Sequence, residues 1–195
     1  MTDTSQNQAL QYLPLFYVKQ KLTMMVNRYE IREANADGTE GRIVAVAQQK
    51  RLAFKEQVTF YADEARTQAV FSFKARQALE LAAVYDVMDG AGAPIGTFQK
   101  DFGASLLRSS FHLAGPGLDA YGQERNQVVA IIRRFVDLPF SFHFDFTDKQ
   151  SGAVVMSSER QFSLRDRYTV TVPDTRLDFR LAAAMAVGLD ALLQR

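Results

Sequence analysis

The 195-residue chain has no cysteine and no tryptophan, and only two histidines and five prolines. Without cysteine there is no disulfide, no thiol nucleophile and no lipid anchor through sulfur, and a reducing, cytoplasmic setting is expected. Two histidines and no thiols offer none of the Cys/His spacings of a zinc site, and none is expected. Charge of one sign is also lacking. The 23 Lys and Arg against 22 Asp and Glu give a net charge of +1. That is no bulk electrostatic case for a nucleic-acid partner, and none is expected. The opening residues 1–8 lack the basic start and apolar core of a signal peptide. Residues 1–12 are expected to be a disordered polar lead-in, and 13–195 one domain. No apolar run reaches the roughly 20 residues that span a bilayer.

What the chain does have is a series of short extended segments. Apolar stretches at 15–26 and 29–33 flank a break at Asn27 and Arg28, and Asn35-Ala-Asp-Gly38 is a hairpin turn. Further strands are expected at 42–48, 52–55, 57–61 and 69–74, where Phe71 and Phe73 share a face. The segments 83–88 and 94–99 flank the tight turn Asp89-Gly-Ala-Gly92. A strand at 105–113 ends at Gly115-Pro-Gly117. Residues 118–127 are polar and suggest a helical turn or an exposed connection. Strands resume at 128–135, 153–158, 161–164 and 167–172. The clearest alternation is Phe140-Ser-Phe-His-Phe-Asp-Phe146, with four phenylalanines at period two. About a dozen strands punctuated by turns is the pattern of a sandwich or barrel.

The end of the chain differs. Pro173 stops the last strand, and Thr175 with Asp178 three residues on predicts a capped helix over 175–194. Twenty helical residues would be about 30 Å long. From Leu181 to Leu189 this helix is apolar on every face apart from Gly188, so it belongs inside a membrane or a core. Its alanines at 182, 183, 184, 186 and 191 keep it slim. A closed antiparallel barrel of about twelve strands, with this helix threaded through its centre, satisfies both patterns. The fold class is therefore mainly β, with inward phenylalanines packed on the helix.

Several motifs then resemble a known family. They are Tyr17-Val-Lys-Gln-Lys21, Gln49-Lys50 with Lys55-Glu56, Tyr85-Asp-Val-Met-Asp89, Lys100-Asp-Phe102 with Ser105-Leu-Leu-Arg-Ser109, and Ala186-Val-Gly-Leu-Asp190. In that order they resemble the LURP-one-related family of the Tubby C-terminal-like superfamily, which includes the phospholipid scramblases. The resemblance implies a twelve-stranded barrel around a central C-terminal helix. It also implies what relatives do: Tubby-like domains bind phosphoinositide headgroups through a basic site, and scramblases act at membranes. This chain departs from scramblases in lacking a proline-rich extension, palmitoylated cysteines and an acidic calcium segment.

No catalytic set survives a test of spacing. Ser141, His143 and Asp145 stand in parallel on one strand face, which is not the relay geometry of a triad. Asp86 and Asp89 lack the further oxygen ligands of a calcium loop, and Gly90-Ala-Gly92 opens no helix. The chain is expected to be non-enzymatic and to need no cofactor. The candidate site is basic: Lys19, Lys21, Lys50, Lys100, Arg108, Arg133 and Arg134 could hold an anionic phospholipid headgroup if they converge. That reading expects a cytoplasmic protein that visits membrane surfaces. The alternative is a soluble scaffold for an unidentified protein or small ligand, with no membrane role.

Overall fold

A computed structural model describes residues 11–22, 26–50, 57–77, 83–101, 109–125, 143–161 and 167–193. Twelve strands follow one another: β1 (Leu15–Leu22), β2 (Val26–Ala34), β3 (Glu40–Lys50), β4 (Val58–Tyr61), β5 (Ala69–Ala75) and β6 (Val84–Asp89). The second half is β7 (Pro94–Asp101), β8 (Ser110–Gly115), β9 (Leu118–Glu124), β10 (His143–Asp148), β11 (Val154–Gln161) and β12 (Arg167–Thr171). Each pairs antiparallel with its sequence neighbours, and β12 closes on β1 through Phe16↔Val170 and Val18↔Tyr168. The result is a closed barrel, which removes the free edges of an open sheet.

Period two decides what lines the interior. Phe16, Phe60, Phe71, Phe73, Phe98, Phe111, Phe144 and Phe146 are all buried, while their neighbours on each strand turn outward. Phe60 stacks on Phe71 at 4.4 Å and Tyr85 on Phe98 at 4.7 Å. Among the described residues the single helix is α1 (Phe179–Leu193), and every residue from Leu181 to Asp190 is buried within the barrel. Phe98 lies against Gly188, where a β-carbon would come within 2.6 Å of its ring. Slimness at that position is therefore a packing requirement.

Three local expectations change. Asn27 and Arg28 do not break a strand; they lie inside β2, opposite Leu22 and Lys21. Ladder bonds come from the backbone, so adjacent polar side chains do not interrupt them. Likewise, β11 runs without interruption through Glu159 and Arg160. The polar connection expected at 118–127 contains β9, whose inward positions include Ala120 and Gly122. A β-carbon on Gly122 would stand 2.3 Å from Phe146. Small residues make room for that ring, and smallness hides the alternation. The expected strands at 52–55 and 128–135 lie outside the described residues.

The helix is also shorter than its pattern suggests. Asp174 opens a turn, accepting from the amide of Arg176 at 2.9 Å, and Leu177 N–H donates to the Asp174 carbonyl at 3.1 Å. Asp178 is the residue that caps the helix, through the Arg180 amide at 2.8 Å. Fifteen residues give about 22 Å at 1.5 Å per residue. Gln11 and Tyr12, within the expected lead-in, already hold this region: Phe179 N–H donates to the Gln11 carbonyl and the Tyr12 hydroxyl to the Val172 carbonyl, both at 2.9 Å.

Arg176 ties the pre-helix turn to the barrel. It donates to the Gly117 carbonyl at 2.9 Å, to Asp174 at 2.7 Å and to Asp148. The Gln150 amide and Arg176 hold the Asp148 carboxyl below its ordinary range, and Arg176 does the same for Asp174. A depressed folded pKa contributes stability that is present above the unfolded value near 4 and is lost as pH falls through the folded one. Arg176→Ala should therefore lower the melting temperature at pH 7. Its gap from the wild type should narrow below about pH 4. A gap unchanged between pH 7 and pH 3 in calorimetric melts would contradict this linkage.

Candidate functional site

The outer face of β12, β1 and β2 gathers charge across the strands. Lys19 stands between Arg167 of β12 and Glu30 of β2 in the register, and Tyr17 stands opposite Arg32. Lys19, Arg167 and Arg32 all approach the Glu40 carboxylate, at 2.8, 3.4 and 3.9 Å. The Lys19 hydrogen bond comes first among the influences that hold Glu40 below its ordinary range; partial burial opposes it. Glu30, buried against the sheet, is ion-paired with Arg28 and Arg32, each at 3.2 Å. The Arg167 guanidinium also lies 5.0 Å from the centre of the Tyr17 ring, a cation–π distance.

This strand face thus carries Lys19, Arg28, Arg32 and Arg167 over two carboxylates, Glu30 and Glu40. The turn at 62–66 adds Asp63, Glu64 and Arg66 at its edge, with Glu64 paired to Arg28. With that turn included, five cations (Lys19, Arg28, Arg32, Arg66 and Arg167) stand among four carboxylates (Glu30, Glu40, Asp63 and Glu64). Sequence reasoning missed Arg28, Arg32 and Arg167. No local motif marks them, because Arg167 and Glu40 are 127 positions apart.

The seven basic residues expected at the site do not form one cluster. Lys19 is at the centre of the face, and Lys21 lies on the same strand opposite Arg28. Lys50 ends β3 opposite Val26. Lys100 belongs to β7, six strands from β1 either way round the barrel. It is half-buried, and its Nζ donates to the Leu192 carbonyl at 2.9 Å. It therefore serves the end of α1, where a cation also meets the negative end of the helix dipole. Arg108, Arg133 and Arg134 lie outside the described residues.

The side chains of the two weighed constellations make local contacts. His143 Nε2 is 3.5 Å from Asp145, whose carboxylate takes Arg125 at 2.6 Å and the Ser157 hydroxyl at 2.7 Å. Burial pushes the Asp145 carboxyl up, but Arg125 and Ser157 outweigh it and hold it below the ordinary range. Ser141 lies outside the described residues. Asp89 accepts from the amides of Ala91 and Ala93, at 2.9 and 2.8 Å, and so closes its own turn. Among the described residues no cluster of three metal-ligating side chains is present.

The helix carries a polar group into the barrel interior. Asp190, 1% exposed, accepts from the hydroxyls of Tyr29, at 3.4 Å, and Tyr168. Gln20 in turn donates to the Tyr29 hydroxyl at 3.1 Å. Burial, then the Asp190 charge, push the Tyr29 hydroxyl far above its ordinary value, so it stays a donor. The cluster joins α1 to β1, β2 and β12. A hydrogen-bonded carboxylate of this kind specifies how the helix is seated, since sliding or rotation would leave it unpaired.

Fold and surface together describe a closed twelve-stranded antiparallel barrel built on a buried C-terminal helix, with a network of paired charges on the outer face of β12, β1 and β2. The LURP-one-related family profile matches residues 43–190, about three quarters of the chain, and the protein belongs to that family. No curated protein matches it. No described helix is long and apolar enough to cross a membrane.

Proposed function

We propose that the protein is a non-enzymatic Tubby-like module that binds anionic phospholipid headgroups, peripherally and from the cytoplasmic side, through the outer face of β12, β1 and β2. The observation that carries this reading is the approach of Lys19, Arg32 and Arg167 to one carboxylate, Glu40. Lys19, Arg28, Arg32 and Arg167 stand over Glu30, Glu40 and Glu64, which leaves one cation more than the carboxylates that pair them. A phosphate beside them would gain charge-assisted hydrogen bonds, with guanidinium groups suited to bidentate contact. Partial burial screens these charges less than free surface lysines are screened.

Flotation with phosphatidylcholine vesicles, with and without phosphatidylserine or phosphatidylinositol bisphosphate, tests the reading at 0.15 M salt. Binding should require the anionic lipid and weaken as salt rises. Basic residues near a membrane contribute about 1 kcal/mol each, so Lys19→Gln with Arg167→Gln should weaken partitioning roughly 30-fold. Arg32 remains to pair Glu40 and Glu30 in that variant. Lys100→Met should leave partitioning unchanged, because its ammonium serves the helix on the far side. Equal binding to neutral and anionic vesicles, or none to either, would end this proposal.

A further inference from the structure

We infer that a groove on the outer face of β9 and β10 is a binding site for a short, neutral saccharide. The groove encloses about 550 Å³, within the range of small-ligand sites. Its lining comes from these two strands and the turn that follows β10. No residue of β12, β1 or β2 contributes, so the site is separate from the proposed lipid face.

Register places its side chains. Tyr121 stands opposite His112 of β8 and Thr147 of β10, and Gln123 stands opposite Ser110 and Asp145. Tyr121, Gln123 and Thr147 alternate with the buried Ala120, Gly122 and Phe146, and so face outward. The His112 ring meets the Tyr121 ring edge-on at 5.0 Å. That contact braces Tyr121 from the β8 side, while the groove lies on its β10 side. A β-bulge where Thr147 meets Val154 of β11 increases the local twist, a device that re-aims side chains. In the turn beyond, a β-carbon on Gly152 would find nothing within 4 Å, so that end is open to an entering ligand.

The exposed charges at the groove are paired. Arg125 donates twice to Asp145, at 2.6 and 2.8 Å, and Lys149 lies 2.8 Å from Asp119. Asp148 and Glu124 belong to the buried, inward set of their strands, and Asp148 is already held by Arg176 and the Gln150 amide. The uncharged groups stand otherwise. Tyr121, Gln123 and Thr147 are half-buried, and their side-chain polar atoms meet no hydrogen-bond partner among the described residues.

This division selects the ligand. An ion of either sign would have to compete with a charge-assisted pair that is already closed. A purely apolar molecule would cover three polar groups and leave them unsatisfied. The hydroxyls of a sugar both donate and accept, as do the Gln123 carboxamide and the hydroxyls of Tyr121 and Thr147. Its C–H face also packs on an aromatic ring such as Tyr121. Along the outer side of β9 the order is Asp119, Tyr121, Gln123, Arg125, two neutral groups between two charged ones. The neutral pair lies about 7 Å apart, close to the span of a sugar ring with its substituents. Bounded at both ends by ion pairs, the row suits a short ligand better than an extended chain.

Saturation-transfer difference NMR on the full chain tests this. The probes are glucose, galactose, mannose and N-acetylglucosamine, each as the free sugar and as its methyl glycoside, with glycerol as a polyol control. At least one sugar should receive saturation at its ring C–H protons, and glycerol should not. Preference for the methyl glycoside would point to the end of a glycan, and preference for the reducing sugar to a free metabolite; either supports the site. Tyr121→Ala and Gln123→Ala should each weaken binding at least tenfold, and Tyr121→Phe, which keeps the ring, should weaken it less. Thr147→Trp should abolish binding by filling the groove, with a thermal melt confirming that each variant is folded. Affinity should hold between about 0.1 M and 1 M salt, since no net charge is recognised. The Lys19→Gln/Arg167→Gln variant should bind sugar normally, so failure here and failure at the lipid face are separable. No transfer to any of these sugars, equal transfer to glycerol, or binding indifferent to both Tyr121→Ala and Thr147→Trp would overturn the inference.

Discussion

Truncation after Pro173 is expected to yield an insoluble chain with no cooperative melt. The cut removes α1, and with it the buried side chains of Phe179, Leu181, Met185, Val187, Leu189 and Leu192. Burying a large apolar side chain contributes about 1.5–3 kcal/mol, so these six account for roughly 9–18 kcal/mol. A domain's whole net stability is only about 5–15 kcal/mol. The loss is compounded on the barrel side, where Phe16, Phe98 and their neighbours would face an empty interior. The cut also removes Asp190, leaving the Tyr168 and Tyr29 hydroxyls without their shared acceptor. Expression, sedimentation and a thermal melt of residues 1–173 provide the measurement. A soluble truncation that melts cooperatively would show that the barrel stands without its helix.

The second large effect concerns the contact between Phe98 and Gly188. Phe98→Ala should cost about 3–5 kcal/mol, the usual penalty for emptying a buried aromatic site. In a protein of this size that lowers the melting temperature by roughly 10 °C. Its partner shows why the site is tight. Glycine inside a helix costs about 1 kcal/mol relative to alanine, so on propensity alone Gly188→Ala should stabilise. In the wild type it should destabilise instead, since the new β-carbon would meet the Phe98 ring at 2.6 and 3.0 Å. That ring cannot retreat easily, being stacked on Tyr85 at 4.7 Å and set edge-on to Phe73 at 5.5 Å. In a Phe98→Leu background the sign should reverse, and Gly188→Ala should raise the midpoint of a denaturant melt. The same sign in both backgrounds would mean that something other than this ring demands the glycine.

The legible parts of the fold share one property: they are periodic within a short window. Phe71 with Phe73, and Phe144 with Phe146, declare an inward face within a few residues, and the apolar run from Leu181 declares a buried helix. β9 was hidden because a glycine and an alanine fill inward positions, so large-residue alternation disappears where the partner strand supplies the bulk. The helix start was misplaced because Thr175 lies between two aspartates that can each close a turn. Only the hydrogen bonds of Asp174 and Asp178 show which opens a turn and which caps the helix.

The candidate site was less legible than the fold, and the lysines illustrate why. Period two turns Lys19 outward, against inward Phe16 and Val18, and Lys100 inward with Phe98, yet it names the partner of neither. One reaches Glu40 on an outer face, while the other caps α1 from the opposite side of the barrel. By itself the sequence determined the barrel pattern, the buried helix and the family, though not β9, because alternation and burial are properties of neighbouring residues. Tertiary structure alone decided that Lys19, Arg32, Glu40 and Arg167 meet and that Asp190 finds two tyrosines. Those juxtapositions depend on the register between strands remote in the chain, and no local pattern of side chains encodes it.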